Sequence, residues 1–235
     1  MTIFFELVIS EFKNPQSAIR NLEDMCRLLA VRSEEPIIPA DYLAPFAFIA
    51  RNSKEYQGHG WGCAWKDSEQ KWQMDKNICP IWEDEFNRFP PTTLLIAHAR
   101  SAFEDRDIVV ENNMPFTDGE RIFIFNGELR GVKIKEQGRI GAEKIFNFIR
   151  RFDDGDTLAA LKKAVALIRN RTRSIRGMNI ILVKERSIYL STFFTGDENY
   201  FTMRYKEGPQ LVICSEPFPS EQGWKSIVNE TVREW

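Results

Sequence analysis

A cysteine directly follows a methionine at Met25 and Cys26, within LEDMCRLLAVRS at positions 22–33. If Met25 were an initiator that is later removed, Cys26 would carry both a thiol and a free α-amine. An α-amine with a pKa of about 8 can take the thiol proton without a separate histidine base, which would make the thiol a nucleophile. A cysteine followed by RLLA is also typical of a small buried hydrophobe, so Cys26 alone leaves both interpretations open.

Two apolar runs further along the chain end in polar residues that could serve such a nucleophile. TTLLIAHAR, at 92–100, ends in Arg100, and RIFIFNGEL, at 121–129, reaches an Asn-Gly pair at Asn126 and Gly127. Taken singly, His98 is typical of a structural histidine, Arg100 of a surface ion pair and Asn126-Gly127 of a turn. Both runs nevertheless predict core strands that deliver polar residues to one end of a sheet.

The elements that must position these residues follow from periodicity. EKIFNFIRRF, from Glu143, and TLAALKKAVALIRN, from Thr157, each place their apolar residues on one helical face. From Met178 onward, MNIILVK, SIYLSTFF, YFTMRY and QLVICSE predict short strands in an antiparallel meander. The order of strands, two helices and further strands predicts an α+β fold with helices packed on sheets.

Two other segments carry local predictions. The prolines in EEPIIPADYLAP, at 34–45, are expected to exclude a long helix. GHGWGCAW, at 58–65, predicts either a tight turn into a strand or the wall of a pocket, because glycine permits close backbone approach. The basic run RNRTRSIR, at 169–176, is expected to be a solvated loop.

Composition narrows the class of protein. The chain has 235 residues, 43% of them hydrophobic and 28% charged, which fits one globular domain with a large core. A formal net charge of -2 gives no general attraction to nucleic acid or to an anionic membrane. The four cysteines form no CxxC pair and the two histidines lie far apart, so we expect no metal site. No secretory signal is evident, so we expect reduced thiols in a cytoplasmic protein, and we expect no cofactor.

Eight motifs occur together and in order. They are MCRLLA at 25–30, GHGWGCAW at 58–65, PIWEDEF at 80–86, LIAHARSA at 95–102, ENNMPF at 111–116, FNGEL at 125–129, GRIGAEKIF at 138–146 and CSEPF at 214–218. This set resembles the class II glutamine amidotransferase domain of the N-terminal nucleophile (Ntn) hydrolase superfamily, in the stand-alone variants whose chains begin MCRLLA. The resemblance implies a four-layer αββα sandwich over 26–235, with residues 1–25 as an extension.

The resemblance also implies roles for individual residues. Cys26 would attack the side-chain amide of glutamine, and Asn126 and Gly127 would form the oxyanion hole. Arg100 would bind the substrate α-carboxylate, a task that suits a planar guanidinium. The implied function is an amidohydrolase that acts on glutamine or a related γ-glutamyl amide. Any ammonia acceptor would be a separate protein, because the chain has no room for a synthase domain; otherwise the enzyme would simply hydrolyse its substrate.

The sequence departs from the family pattern around the expected substrate. Gly141 stands where the family usually has an aspartate for the substrate α-ammonium, and Glu128 and Glu143 are the candidate substitutes. A helix-start role suits Glu143 better. Met114 and Phe125 stand where the family has histidines. These changes predict a different amide substrate or a degenerate site.

The leading segment is the last departure. While it remains attached, the nitrogen of Cys26 is an amide and cannot act as a base. Three explanations compete: a start codon assigned too early, which the Met25-Cys26 pair favours, a propeptide that is cleaved, or a retained extension on a protein that has lost catalysis. The alternative function is therefore a non-catalytic Ntn-fold protein that binds a metabolite or a protein partner.

Overall fold

A computed structural model describes residues 25–235, apart from the side chain of Phe103. The predicted extension therefore lies outside the described residues except for Met25, and the boundary at Cys26 stays a prediction. The four α-helices of the described part are α1 (Pro39–Arg51), α2 (Gly141–Arg150), α3 (Thr157–Asn170) and α4 (Glu198–Phe201). Its twelve strands are β1 (Arg27–Ile37), β2 (Trp61–Lys66), β3 (Trp72–Asn77), β4 (Thr92–Ala99), β5 (Phe116–Thr117), β6 (Arg121–Val132), β7 (Thr172–Lys184), β8 (Ser187–Phe194), β9 (Arg204–Lys206), β10 (Gln210–Cys214), β11 (Lys225–Ser226) and β12 (Val232–Glu234).

The strands form two antiparallel sheets. The seven-stranded sheet has the order β11-β9-β10-β1-β4-β2-β3, and the five-stranded sheet has the order β12-β8-β7-β6-β5. In the first sheet Arg27 pairs with Ala99, so the residue after Cys26 lies beside the end of β4, next to Arg100. In the second sheet Asn126 pairs with Asn179 in the middle of the β6–β7 ladder. This register fixes which polar residues can meet.

The helices cover the outer faces of the sheets. A core cluster that includes Leu43, Phe46 and Leu95 packs α1 on the seven-stranded sheet. A larger cluster joins the inner residues of both sheets to α2 and α3, and Phe123 of β6 stacks on Phe146 of α2 at 5.1 Å. The layers are therefore helix, sheet, sheet and helix, which confirms the predicted αββα fold.

The two predicted helices form as their apolar faces require. Asp156 caps α3 by accepting a hydrogen bond from the backbone N–H of Ala159 at 2.9 Å. Glu143 lies in the first turn of α2, where a negative side chain complements the positive end of the helix dipole. α2 ends at Arg150, two residues before Phe152, the last residue of its apolar pattern.

The prediction of an Asn-Gly turn is wrong. Strand β6 continues through Asn126 and Gly127 to Val132, and the two residues pair with Asn179 and Met178. The long partner strand β7 satisfies the backbone there, so the tendency of this dipeptide to turn is overridden by the ladder. The strand therefore presents these residues within a sheet instead of at its end.

The prediction that the prolines exclude a long helix is also wrong. Pro39 occupies the start of the 13-residue helix α1, where a missing N–H costs nothing. Pro45 lies inside the helix and leaves the carbonyl of Asp41 without a helical donor. Asp41 is exposed, so water can satisfy that carbonyl.

Two expectations for the second half also fail. Strand β7 begins at Thr172, so most of the basic run at 169–176 pairs with β6 and is not a loop. The expected meander is divided, because β7 and β8 belong to the five-stranded sheet and β9 and β10 to the other. YFTMRY forms the end of α4 and the start of β9. The apolar alternation does not reveal a chain that changes sheets.

Candidate active site

A cavity of about 610 Å³ opens beside Cys26. Five of the residues that the sequence singles out line it: Cys26, Arg100, Gly127, Glu128 and Gly141. Asn126 lies directly behind the cavity and bonds to Cys26, whereas Glu143 does not belong to the lining. The register of β1, β4 and β6 therefore brings together residues that are up to 102 positions apart.

Cys26 precedes β1 and is 8% exposed. Its backbone N–H donates to Asn126 Oδ1 at 2.8 Å, and its Sγ lies 3.5 Å from the carbonyl oxygen of Ser101. The thiol is thus held at the cavity wall with its proton directed at a backbone acceptor. Ser101 follows Arg100 in LIAHARSA, and no separate signal in the sequence pointed to it.

The side chain of Asn126 is oriented by its bond to Cys26. Because Oδ1 accepts that bond, Nδ2 points elsewhere, and this buried atom has no hydrogen-bond partner among residues 25–235. A buried amide N–H without a partner is costly. Asn126 Nδ2 is therefore an unused hydrogen-bond donor next to the residue that it orients.

Close packing explains why position 127 is a glycine, a reason that the sequence does not show. A Cβ at this position would lie 2.1 Å from the carbonyl oxygen of Gly177 on the neighbouring strand. A Cβ at Gly177 would in turn lie 2.1 Å from the ring of Phe201. The backbone of Gly127 is thus packed from behind, in addition to the open approach that a substrate carbonyl would need in front.

Arg100 follows the end of β4 and is 5% exposed. Its guanidinium donates to Asn113 Oδ1 at 3.1 Å and to the carbonyl oxygen of Asp107 at 2.9 Å. Burial lowers the pKa of Arg100, but a guanidinium stays charged at neutral pH. Neutral acceptors hold this side chain, so its positive charge is not cancelled by them.

The GHGWG segment supports the loop that follows β4. The N–H of His59 donates to the carbonyl oxygen of Arg100 at 3.1 Å, and the N–H of Arg100 donates to the carbonyl oxygen of Gly60 at 2.9 Å. His59 Nδ1 accepts from the N–H of Ala102 at 2.8 Å. The segment is therefore a turn into β2 that fixes Arg100 and Ser101, and His59 and Gly60 do not line the cavity.

His98 lies on β4 but cannot act as a general base. It is completely buried, and burial together with the nearby charge of Arg100 lowers its pKa to about 3. The imidazole is therefore neutral at physiological pH and remote from solvent. Its role is that of a core residue.

The two glutamates differ in placement. Glu128 lines the cavity, but it forms ion pairs with Arg130 and, at 3.7 Å, with Arg176. Glu143 binds the Arg139 guanidinium and backbone N–H, and the hydrogen bonds from Arg139 lower the pKa of its carboxyl. Neither carboxylate is left unpaired in the cavity.

The rest of the lining combines apolar and cationic side chains. Met114 and Phe125 contribute to it, as the sequence predicts for a more apolar rim. The sequence did not single out the further lining residues Ala102, Arg106, Asp107, Leu129, Val132, Ile134, Arg139, Ile140, Ala142, Lys144 and Ile145. Ile140 and Ala142 flank Gly141, so only their closeness in sequence to that position could have drawn attention to them.

Met25, the residue before Cys26, is tightly held. The carbonyl oxygen of Met25 accepts hydrogen bonds from Gln57 Nε2 at 2.5 Å and from the Tyr200 hydroxyl at 2.6 Å. The Met25 side chain packs with Phe194, Tyr200 and Phe201. While Met25 is attached, the nitrogen of Cys26 is an amide that the fold accommodates well.

The described part of the chain contains neither a candidate metal site nor a membrane-spanning helix. Within residues 25–235, no group of three or more His, Cys, Asp or Glu side chains is arranged to hold a metal ion. None of the helices of that part is long and apolar enough to cross a lipid bilayer.

Comparison with known proteins gives a fold but no close relative. No family model matches the chain, and no curated protein matches it. Among solved structures, a glutamine aminotransferase class-II domain protein from Silicibacter pomeroyi superposes with a TM-score of 0.62 at 16% identity, over 89% of this chain and 94% of that one. A predicted glutamine amidotransferase from Pseudomonas aeruginosa gives 0.55 at 16% identity, over 89% and 97%.

A larger enzyme shares the same domain shape. Glutamine phosphoribosylpyrophosphate amidotransferase from B. subtilis gives a TM-score of 0.59 at 15% identity, over 81% of this chain and 42% of the enzyme. The chain therefore corresponds to less than half of that enzyme's length. These similarities show that residues 25–235 have the fold of class II glutamine amidotransferase structures.

Proposed function

We propose that the chain is a class II amidotransferase-like amidohydrolase that uses Cys26 as an N-terminal nucleophile on glutamine or a related γ-glutamyl amide. The observation that carries the proposal is the buried Nδ2 of Asn126, which has no partner in the described part and belongs to the residue that holds the nitrogen of Cys26. Arg100 and Gly127 line the same cavity. We further propose that the protein is cytoplasmic.

The reaction follows from these positions. Once Cys26 is N-terminal, its amine takes the thiol proton and the sulfur attacks the amide carbon of the substrate. Asn126 Nδ2 and the N–H of Gly127 stabilise the negative oxygen of the tetrahedral adduct. The adduct collapses as the nitrogen leaves with the proton from the Cys26 ammonium, and water then hydrolyses the γ-acyl thioester. The released ammonia either diffuses away or passes to a separate acceptor protein.

Intact mass of the native protein, followed by ammonia-release assays, tests the proposal. Chains that begin at Met1 and at Cys26 are compared with glutamine and γ-glutamyl amides, after circular dichroism has verified that both are folded. Activity is expected only in the shorter chain, and it should disappear in Cys26→Ala. Failure of both folded chains to hydrolyse any of these amides would refute the proposal.

A second function is favoured by one specific observation. Gln57 and Tyr200 donate hydrogen bonds to the carbonyl oxygen of Met25. These bonds stabilise a chain in which the Met25–Cys26 bond persists. Such a protein would bind a small metabolite or a protein partner without catalysis. A native mass that includes Met25, together with calorimetric binding of an amide and no ammonia release, would support this alternative over the enzyme.

A further inference from the structure

The cavity offers little to neutralise a substrate ammonium. Of the described residues that line it, only Asp107 and Glu128 bear carboxylates. Glu128 is paired with two arginines, and Asp107 lies exposed at the rim. Gly141 leaves empty space, since a Cβ built there meets no atom within 4 Å. A free α-ammonium beside Gly141 would therefore gain no counter-charge from that position.

Positive side chains outnumber negative ones around the same space. Arg100, Arg106, Arg139 and Lys144 line the cavity. Arg106 forms an ion pair with Glu104 at 3.0 Å, and Arg139 pairs with Glu143, but Arg100 is held by neutral acceptors. This balance favours an anionic substrate and disfavours one with an added positive charge.

An apolar wall adjoins the empty position. Leu129 and Val132, near the end of β6, line the cavity together with Ile134 and Ile140. A cavity of about 610 Å³ has the size typical of sites for drug-sized ligands, which is larger than a single free amino acid needs. Burying an apolar group against this wall would be favourable.

We infer that the site takes γ-carboxamide acids whose α-nitrogen carries an apolar acyl group, in preference to free glutamine. The inference rests on the function proposed above and names its substrate class. Acylation removes the ammonium charge that the cavity cannot balance, leaves the α-carboxylate for Arg100 and supplies an apolar group for the wall beside Gly141. The scissile γ-amide remains at Cys26.

The test compares L-glutamine, N-acetyl-L-glutamine and N-phenylacetyl-L-glutamine. Ammonia release is measured with the chain that begins at Cys26, and binding is measured by calorimetry with the full chain carrying Cys26→Ala. N-phenylacetyl-L-glutamine is expected to exceed L-glutamine at least about tenfold in both kcat/KM and affinity, with N-acetyl-L-glutamine between them. Val132→Ser should reduce the advantage of the phenylacetyl compound over L-glutamine, because it removes part of the apolar wall.

A matched pair at Gly141 sharpens the result. Gly141→Asp places a carboxylate where the backbone has room and should improve the relative preference for L-glutamine about 10- to 100-fold. Gly141→Asn has nearly the same shape without the charge and should leave the preference for the acylated compounds intact. An equal shift of the substrate preference in both variants would mean that the charge of the new side chain is not the cause.

The outcomes separate the inference from the function on which it rests. If L-glutamine is hydrolysed as well as the acylated compounds or better, the substrate class is wrong and the amidohydrolase stands. If nothing is hydrolysed but the acylated compounds bind selectively, the enzyme is wrong and the ligand class stands. If none of the three compounds binds or reacts, both are overturned.

Discussion

The two ends of the cavity differ in how they match the amidotransferase pattern. At the end near Cys26, the thiol, the Asn126 amide and the Arg100 guanidinium are fixed by hydrogen bonds to buried groups. At the end near Gly141, the matching aspartate is missing and the lining is apolar and cationic. The first end carries the groups proposed for amide chemistry, and the second is proposed to select the substrate.

The groups proposed to react and the groups proposed to accept the α-nitrogen substituent lie on different parts of the cavity lining. The groups proposed to react lie just before β1 and within β6, and Arg100, proposed to bind the α-carboxylate, follows β4. The start of α2 and the end of β6 form the other end, and Gly141 has open space around it. A substitution there can alter selectivity without moving the reacting groups.

The largest expected effect is at the nucleophile. In the chain that begins at Cys26, Cys26→Ala should lower kcat by roughly 10⁴-fold or more, since no other group can form the thioester. Cys79→Ser provides the matched control, because Cys79 is a half-buried free thiol outside the cavity. Ammonia release measures both. Equal activity in the two variants would remove Cys26 from the mechanism.

The next effect concerns the proposed oxyanion hole. Asn126→Asp keeps the acceptor for the nitrogen of Cys26 and removes the unpartnered donor, so kcat should fall about 10²- to 10³-fold, or about 3–4 kcal/mol. Steady-state kinetics should show a much smaller change in KM. A variant that retained full kcat would place the transition-state oxygen elsewhere.

A smaller effect is expected on stability, and it should differ between Gly127 and Gly141, which lie at the two ends of the cavity. Gly127→Ala should reduce the free energy of unfolding by about 1–3 kcal/mol, because the new methyl group meets the carbonyl of Gly177. Gly141→Ala should leave stability unchanged or raise it by up to about 1 kcal/mol, because the helix start is open. Urea denaturation measures both. Equal costs would contradict the contrast in packing.

The last effect is a pH dependence from His98. Its pKa is lowered to about 3 in the fold, against about 6.5 in an unfolded chain. As the pH falls, the unfolded state therefore binds the proton first. The contribution of neutral His98 to the free energy of unfolding is complete above pH 6.5 and declines as the pH falls toward 3. The decline should amount to about 1.4 kcal/mol per pH unit at most. His98→Gln should flatten the urea-derived stability profile between pH 6.5 and 4; an unchanged slope would refute this assignment.

Much of the fold was accessible from the sequence because apolar periodicity is a local property. The runs before Arg100 and Asn126 form strands and the two amphipathic segments form helices, as predicted. The failures share a cause: neighbouring strands decided the outcome. Asn126-Gly127 stays extended because β7 pairs with it, and the basic run at 169–176 becomes strand because β6 pairs with it.

The candidate site was accessible in part through motif resemblance. Cys26, Arg100 and Gly127 were named from motifs, and all three line one cavity. Gln57, Tyr200 and the apolar wall were not named, because their positions depend on which distant strands and helices meet at the cavity. The packing of Gly127 against Gly177 was likewise hidden, since 50 residues separate them in the chain.

The burial of Met25 sets an order of events for any removal of the residues before Cys26. Met25 is 1% exposed, and its carbonyl is bonded to two side chains of the core. An enzyme acting from outside reaches such a bond only when the region opens. If a second protein exposes the Cys26 amine, cleavage must therefore compete kinetically with folding. In a chain that folds first, the nitrogen of Cys26 stays in a peptide bond until local unfolding makes that bond accessible.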